Sequence, residues 1–182
     1  MKQKFFILVV LLLLAGLTTL AQPLKKSSLV VPKPAKELLT PQYIYIPKLK
    51  LFLSLQTAPI KNNEWILSEQ KTAFFGEGSA LPGEQGVSAI FAHAKNGLFA
   101  KLPLLEKNDT LIVISEKKLF QYKIEEKQLI EPDELSFLKP KGRNQLAVFT
   151  CFGKDDKKRI LFLGGLIGEL PNAKIKNSLY QI

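Results

Sequence analysis

The chain has 182 residues and a formal net charge of +10, with 26 lysines and arginines against 16 acidic residues. This length allows one domain with a substantial core plus short appendages. The single cysteine, Cys151, excludes an intramolecular disulfide. Because the lysines are scattered and only two arginines are present, we do not predict nucleic-acid binding, and a surface that faces an anionic envelope explains the charge more simply.

Residues 1–21 are typical of a targeting segment. Lys2 and Lys4 precede an uncharged, mainly apolar run from Phe5 to Ala21, which indicates export. The run reaches the short end of a membrane span, while Thr19 and Ala21 also offer a small-residue cleavage site. We interpret the segment as an uncleaved single-pass membrane anchor, with a cleaved signal as the alternative. The preceding lysines favour a cytoplasmic N-terminus and an extracytoplasmic body.

The next residues, 22–42, are predicted to be an extended linker because they are rich in proline, lysine and serine and cannot bury a core. The folded domain is predicted to span residues 43–170, and residues 171–182 to form a C-terminal tail.

Short strands dominate the predicted domain. Lys48–Leu55 alternates apolar and polar residues, which indicates a half-buried strand. The glycines of Phe74–Gly86 predict a loop. The other predicted elements are strands at Tyr43–Ile46, Val87–Ala92, Thr110–Ile114 and Leu119–Glu126, a turn and short strand around Trp65, a helical turn within Asn96–Leu105, and a short helix at Pro132–Leu135. Seven or eight strands without a long amphipathic helix favour an all-β barrel or sandwich.

The most informative stretch is Leu146–Gly165. Two apolar runs surround the sequence GKDDKK, which predicts a β-hairpin with Cys151 near the end of its first strand and Arg159 at the start of its second. If the two residues pair, their Cβ atoms lie about 5 Å apart on one face. A permanent positive charge beside a thiol favours the nucleophilic thiolate.

His93, the only histidine, closes the predicted strand Val87–Ala92. Together with Cys151 and Arg159 it suggests a cysteine nucleophile, a histidine acid/base and an arginine that stabilises an oxyanion. The structural alternative is an inert core cysteine and a structural histidine, which are common in proteins. One histidine and one cysteine do not predict a zinc site, and no cofactor is expected. Binding of calcium by loop carboxylates is left open, although no loop carries a dense acidic cluster.

The order of these features resembles the sortases, membrane-anchored cysteine transpeptidases of the bacterial envelope. The resemblance covers about Tyr43–Leu170 and rests on the stretch SALPGEQGVSAIFAHAKNGLFAKLPLLEKNDTLIVI, on LFQYKIEEKQLIEPDELSFL, and on the Thr150–Cys151…Arg159 pattern in AVFTCFGKDDKKRILFLGGL. It implies a closed eight-stranded sortase-like β-barrel with short helical turns, behind an N-terminal hydrophobic anchor.

The resemblance also implies a mechanism. Cys151 would attack an LPxTG-like sorting signal between Thr and Gly, His93 would transfer protons, and Arg159 would hold the oxyanion. The partners would be sorting-signal peptides of secreted proteins and an amine of the cell wall or of a pilin. Thr150 and Ala92 are predicted to contact the peptide.

The sequence departs from the family at Ala92, where glycine is usual and where a methyl group could narrow the groove. This departure and the short Cys151–Arg159 loop leave an alternative, a catalytically inactive sortase-like module that binds envelope peptides. An exported binder of anionic polymers and another cysteine enzyme, such as a wall hydrolase, are further alternatives.

Overall fold

The computed structural model describes residues 39–62, 64–67, 71–139 and 142–172. The predicted anchor, most of the predicted linker and all but the first two residues of the predicted tail lie outside these ranges. Within them, no helix has both the length and the apolar character needed to cross a membrane.

The strands of the described ranges form a closed barrel and one separate hairpin. The barrel order is β1-β2-β5-β6-β9-β10-β8-β7, and β7 pairs with β1 to close it; β3 and β4 pair only with each other. The bounds are β1 (Pro41–Ile46), β2 (Leu51–Ala58), β3 (Ile60–Lys61), β4 (Glu64–Trp65), β5 (Ala73–Gly76), β6 (Gly86–Phe91), β7 (Thr110–Ser115), β8 (Lys118–Ile130), β9 (Asn144–Phe152) and β10 (Lys158–Pro171). The predicted all-β, eight-stranded closed barrel is therefore confirmed.

Two of the eight pairings are parallel. β2 pairs with β5 and β6 pairs with β9 in parallel, and the other pairings are antiparallel. Short 3-10 helices occupy the connections at Pro47–Leu49, Phe99–Leu104, Ser136–Leu138 and Lys154–Asp156. The helical turn predicted within Asn96–Leu105 is confirmed, and its Phe99 and Leu102 are buried.

Alternate residues of each strand fill the barrel, as closed sheets require. In β8, Phe120, Tyr122 and Ile124 point inward and are almost fully buried. The Tyr122 hydroxyl accepts a hydrogen bond from the Gly83 N–H at 3.1 Å, and burial raises the pKa of Tyr122 to about 12. The interior is thus apolar enough to disfavour a charge strongly.

Three predicted boundaries are wrong. Ala73–Gly76 is a buried strand between β2 and β6, so Phe74–Gly86 is a loop only after Gly76. The helix predicted at Pro132–Leu135 instead occupies Ser136–Leu138. β2 begins at Leu51 rather than Lys48, because Lys50 adopts a left-handed conformation (φ 49°) after the helical turn. The predicted alternation holds from Leu51 onward.

Candidate active site

Cys151 and Arg159 are direct neighbours in the β9–β10 ladder. Antiparallel pairing aligns Arg159 with Cys151 and, on its other side, with Ile130 of β8. The hairpin predicted from the sequence is therefore confirmed, and the pairing of Cys151 with Arg159, which the sequence left as a condition, is present. Residues aligned in this way project from the same face of a sheet, with Cβ atoms about 5 Å apart.

His93 reaches the same row through the parallel pairing of β6 with β9. The register of this pairing ends with Phe91 beside Phe149, and His93 and Cys151 each follow two residues later. Between these positions, Thr150 Oγ1 donates a hydrogen bond of 2.7 Å to the Ala92 carbonyl. This bond links the end of β9 to the residue that follows β6. The His93 carbonyl accepts bonds from the N–H groups of Lys95 (2.9 Å) and Phe99 (3.2 Å), which fixes the turn that follows.

The row lies on the outer face of the barrel. In β9, Leu146 and Val148 belong to the interior core, whereas Ala147 and Phe149 pack in clusters outside it. Because side chains alternate along a strand, Cys151 projects outward with Phe149. His93, Cys151 and Arg159 are each partly exposed, so all three side chains are accessible at one end of the barrel.

Thr150 and Ala92 have a different position. Thr150 is 2% exposed and Ala92 4% exposed, and Ala92 packs within the interior core. The predicted peptide contacts of these two side chains do not fit this arrangement, since neither side chain lies on the outer face. For the same reason the Ala92 methyl group does not narrow the outer groove.

The loop between β9 and β10 holds the Arg159 guanidinium. Nη1 donates to the carbonyl oxygens of Asp156 (2.8 Å) and Lys158 (3.0 Å). Asp155 and Asp156 both adopt left-handed conformations, with φ of 58° and 56°, which are uncommon outside glycine. The bonds occupy the two N–H groups of Nη1, and a guanidinium has three further N–H donors.

Two ion pairs lie near the ends of the β9–β10 hairpin. The Lys158 ammonium, beside Arg159, contacts the Glu131 carboxylate just after β8. The other arginine, Arg143, pairs with Glu125 at the opposite end of β9, with Nη2 and Oε2 2.9 Å apart.

In the described ranges, no three His, Cys, Asp or Glu side chains lie together as a set that could hold a metal ion.

Sequence reasoning missed an aromatic surface beside the row. Phe91 and Phe149 stack with ring centroids 5.1 Å apart, each two residues before a candidate site residue. Trp65 stacks on Phe91, also at 5.1 Å, and Phe137 meets Phe149 edge-on at 5.5 Å. The sequence did contain a signal for this surface. Phe91 lies two residues before His93 and Phe149 two residues before Cys151, and residues two apart in a strand lie on the same face of the sheet.

Comparisons with known proteins agree with this architecture. The sequence profile of the sortase domain family matches residues 44–166. The chain belongs to the sortase family. No curated protein sequence is significantly similar to it.

Solved sortases of several classes share this fold. Sortase C1 from Streptococcus agalactiae is 25% identical, with a TM-score of 0.62, and the match covers 70% of this chain and 67% of that one. Sortase E1 from Streptomyces coelicolor, solved with a tripeptide in its active site, is 20% identical, with a TM-score of 0.63 and coverage of 74% and 92%. Sortase A from Listeria monocytogenes is 17% identical, with a TM-score of 0.62 and coverage of 73% and 90%. At these identities the similarity to the class E and class A enzymes concerns the fold alone, and this sortase stays unassigned to a class.

Proposed function

We propose that this protein is a sortase-type cysteine transpeptidase that cleaves an LPxTG-like sorting signal between Thr and Gly. The observation that carries the proposal is that Arg159 pairs with Cys151 in the β9–β10 ladder, while His93 follows the end of the neighbouring strand β6 at the step of Cys151, at one end of the barrel of a sortase. A nucleophile, a proton carrier and a fixed cation in one row are the groups that acyl transfer needs.

In the first half-reaction the Cys151 sulfur attacks the threonine carbonyl carbon. The oxyanion that forms accepts hydrogen bonds from Arg159, whose planar donors match a localised negative charge better than an ammonium would. When the C–N bond breaks, His93 gives its proton to the departing glycine amine. The product is a thioester on Cys151 and a free amino-terminal glycine.

In the second half-reaction an amine of the cell wall or of a pilin attacks the thioester. His93 accepts a proton from the attacking nitrogen, the C–S bond breaks, and the Cys151 thiolate is regenerated. The net change exchanges one amide for another, so no oxidant, reductant or energy source is required.

The test uses the full-length chain in detergent micelles with a panel of LPxTG-like peptides and hydroxylamine as the amine. Mass spectrometry should detect a peptide hydroxamate and an acyl adduct on Cys151, and both should vanish in Cys151→Ala. Absence of any adduct, together with slow alkylation of Cys151, would instead support the inactive peptide-binding module. Release of the free acid despite excess hydroxylamine would support a hydrolase.

The two arginines provide a matched pair of variants. Arg159→Lys keeps the charge but loses the planar fork, and should lower kcat by about a hundredfold. Arg143→Lys makes the same change near the opposite end of β9 and should leave turnover nearly unchanged. Equal effects of the two substitutions would contradict a specific role of Arg159.

We propose further that residues 5–21 anchor the protein in the cell membrane as a single-pass segment with the barrel outside the cytoplasm. The uncharged run and the lysines before it support this orientation. Protease added to intact cells should degrade the barrel, and the protein should resist extraction by alkaline carbonate. A protein that carbonate releases from the membrane would contradict the anchor.

A further inference from the structure

The outer face of the β1–β2 ladder presents three aromatic side chains. Tyr43 is 39% exposed and Phe52 50% exposed, and their rings stack with centroids 5.1 Å apart. Tyr45 lies directly across from Phe52 in the register, with ring centroids 6.3 Å apart. Ile44 and Ile46, which alternate with the two tyrosines, are fully buried in the core. The three rings, which we call the aromatic patch, therefore project outward.

The aromatic patch continues onto the next strand. Ile112 of β7 lies across from Tyr45 and is only partly buried, whereas its neighbours Leu111 and Val113 belong to the interior core. Large apolar side chains that lie together on a surface mark an interaction site. Tyrosine combines an apolar ring with a polar hydroxyl, so it suits a boundary between lipid and water.

The chain around the aromatic patch is positively charged. Residues 22–58 contain six lysines and one acidic residue, Glu37. Lys50, in the turn that leads into β2, is exposed and has no ion pair among the described residues, whereas Lys48 is already paired with acidic side chains. Lysines beside exposed aromatic rings complement an anionic lipid surface, because ammonium groups attract the headgroups while the rings enter the boundary layer.

The aromatic patch lies on the wall of the barrel opposite the strand of Cys151. In the closed barrel, three strands separate β1 from β9 in either direction. A barrel that rests on β1 therefore turns β9 away from the surface beneath it. β1 is also the first element of the described chain, so the patch has the shortest connection in sequence to residues 5–21. A short connection raises the effective concentration of a tethered binding surface.

We propose that the aromatic patch docks on the anionic lipid surface of the membrane, with the rings of Tyr43, Tyr45 and Phe52 in the headgroup region. The inference rests on the proposed membrane anchor, which keeps the barrel near lipid, and is independent of the proposed transpeptidase chemistry. Docking adds a second, reversible contact with the membrane. It gives the barrel a fixed orientation, in which Cys151 faces away from the lipid and stays open to peptide and amine.

The test places a fluorescent reporter in the aromatic patch of the full-length chain. Trp65 is the only tryptophan, so Trp65→Phe removes the background and Phe52→Trp supplies the reporter. Leu135→Trp is the matched control, because Leu135 is 47% exposed in the segment that packs on β9 through Phe137. Both proteins are reconstituted in phosphatidylglycerol–phosphatidylcholine vesicles whose acyl chains are brominated near the headgroups. Since an interfacial surface lies about 5–10 Å into this boundary, bromine should quench the Phe52→Trp reporter by about half and the control little.

The charge of the lipid is tested with the same reporter. Pure phosphatidylcholine vesicles should lower the quenching of the Phe52→Trp reporter about twofold, and so should Lys50→Glu in the mixed vesicles. Lys139→Glu is the matched charge reversal, since Lys139 is an exposed lysine of the segment before β9, and it should leave the quenching unchanged. Quenching that ignores both lipid charge and Lys50 would overturn the anionic lipid surface as the partner.

Other outcomes separate the docking from the anchor. Equal quenching of the two reporters, or none in the patch, in protein that floats with the vesicles overturns the docking and leaves the anchor. Protein that does not float with the vesicles overturns both, while the hydroxylamine assay in micelles still decides the transpeptidase. An emission change that follows protein density, or added soluble wall glycan, without quenching indicates a second copy or a glycan as the partner and overturns the proposal. Melting temperatures show whether each barrel is intact, and Tyr45→Trp is a second reporter if Phe52→Trp does not fold.

Discussion

A single hydroxyl aligns the ends of the two strands that carry the candidate nucleophile and the candidate proton carrier. Thr150 is buried and donates a hydrogen bond to the Ala92 carbonyl at 2.7 Å. Thr150 directly precedes Cys151, and Ala92 directly precedes His93. The β6–β9 register stops one step earlier. We infer that Thr150 is a positioning residue, which keeps the two side chains level without touching substrate.

Replacing Thr150 tests this role. Thr150→Val keeps the shape but removes the donor from a buried carbonyl, and should lower the free energy of unfolding by about 1–3 kcal/mol. It should also reduce kcat more than it changes KM, because reacting groups lose rate steeply when displaced by about 1 Å. Denaturant titration and steady-state kinetics measure both quantities. Thr150→Ser should restore most of the loss; a serine variant as slow as the valine variant would contradict the role of the hydroxyl.

Tyr122 should make the free energy of unfolding depend on pH in the alkaline range. Its pKa is raised to about 12 by burial in the barrel, whereas a tyrosine in the unfolded chain ionises near pH 10. Between these values the unfolded chain releases a proton that the folded chain retains, so unfolding becomes easier as pH rises. The slope should approach about 1.4 kcal/mol per pH unit.

Urea titrations of wild type and Tyr122→Phe at about pH 9 to about pH 11.5 isolate this effect from the titration of the many lysines. The variant should be less stable at neutral pH, because the Gly83 N–H loses its acceptor. The stability difference between the two proteins should then shrink as pH rises above about 10. A difference independent of pH would show that Tyr122 ionises normally in the folded protein.

At the scale of elements, the β3–β4 hairpin packs closely on the barrel because Gly76 of β5 has no side chain. The β3–β4 hairpin lies outside the barrel, and its indole contacts the backbone at that position. Any larger residue must either push the hairpin away or distort β5, and both outcomes disturb the stacking of Trp65 on Phe91.

Gly76→Ala should therefore destabilise the protein by about 1–3 kcal/mol, as overpacking does, and should change the fluorescence of Trp65. Gly168→Ala is the matched control, because Gly168 also lies in a strand of the barrel and its added methyl group meets no atom within 4 Å. Thermal unfolding and emission spectra of both variants are the measurements. A Gly76 variant as stable as the Gly168 variant would mean that the hairpin yields freely.

The elements differ in how much of them could be predicted. The Cys151–Arg159 register was predictable, because two apolar runs close in sequence with a charged turn between them allow few alternatives. β5 was missed because Phe74 and Phe75 stand directly before a glycine-rich stretch, and only the distant strands β2 and β6 make them a strand. The parallel pairing that brings His93 beside Cys151 joins residues 58 positions apart, and no local pattern specifies such a partner.

The same limit applies to the candidate site. The residue types of Cys151, His93 and Arg159 suggested the chemistry, and their order along the chain carried the family resemblance. The inward direction of Thr150 and Ala92 depends on which face of each strand lines the barrel, and this is decided only when the barrel closes. Nothing in the sequence indicated that Trp65 contacts Phe91, because the packing of a hairpin outside the barrel depends on the three-dimensional path of the chain.

At the scale of the whole molecule, charge is the dominant sequence feature. The net charge of +10 should attract the protein to anionic surfaces over distances of the order of the Debye length, about 10 Å at 0.1 M salt. Adsorption of the full-length protein to polyglutamate beads should fall about tenfold or more between 50 mM and 500 mM NaCl. Cys151→Ala should bind equally well, and binding that ignores salt would contradict an electrostatic origin.

Closure of the barrel also has a mechanical consequence for β1. This strand begins at Pro41 and is bonded to β2 on one side and to β7 on the other. A pulling force applied to the chain ahead of Pro41 therefore reaches two ladders of hydrogen bonds, and β1 leaves the barrel only when both ladders break. An edge strand, which is bonded on one side only, would resist the same force with a single ladder.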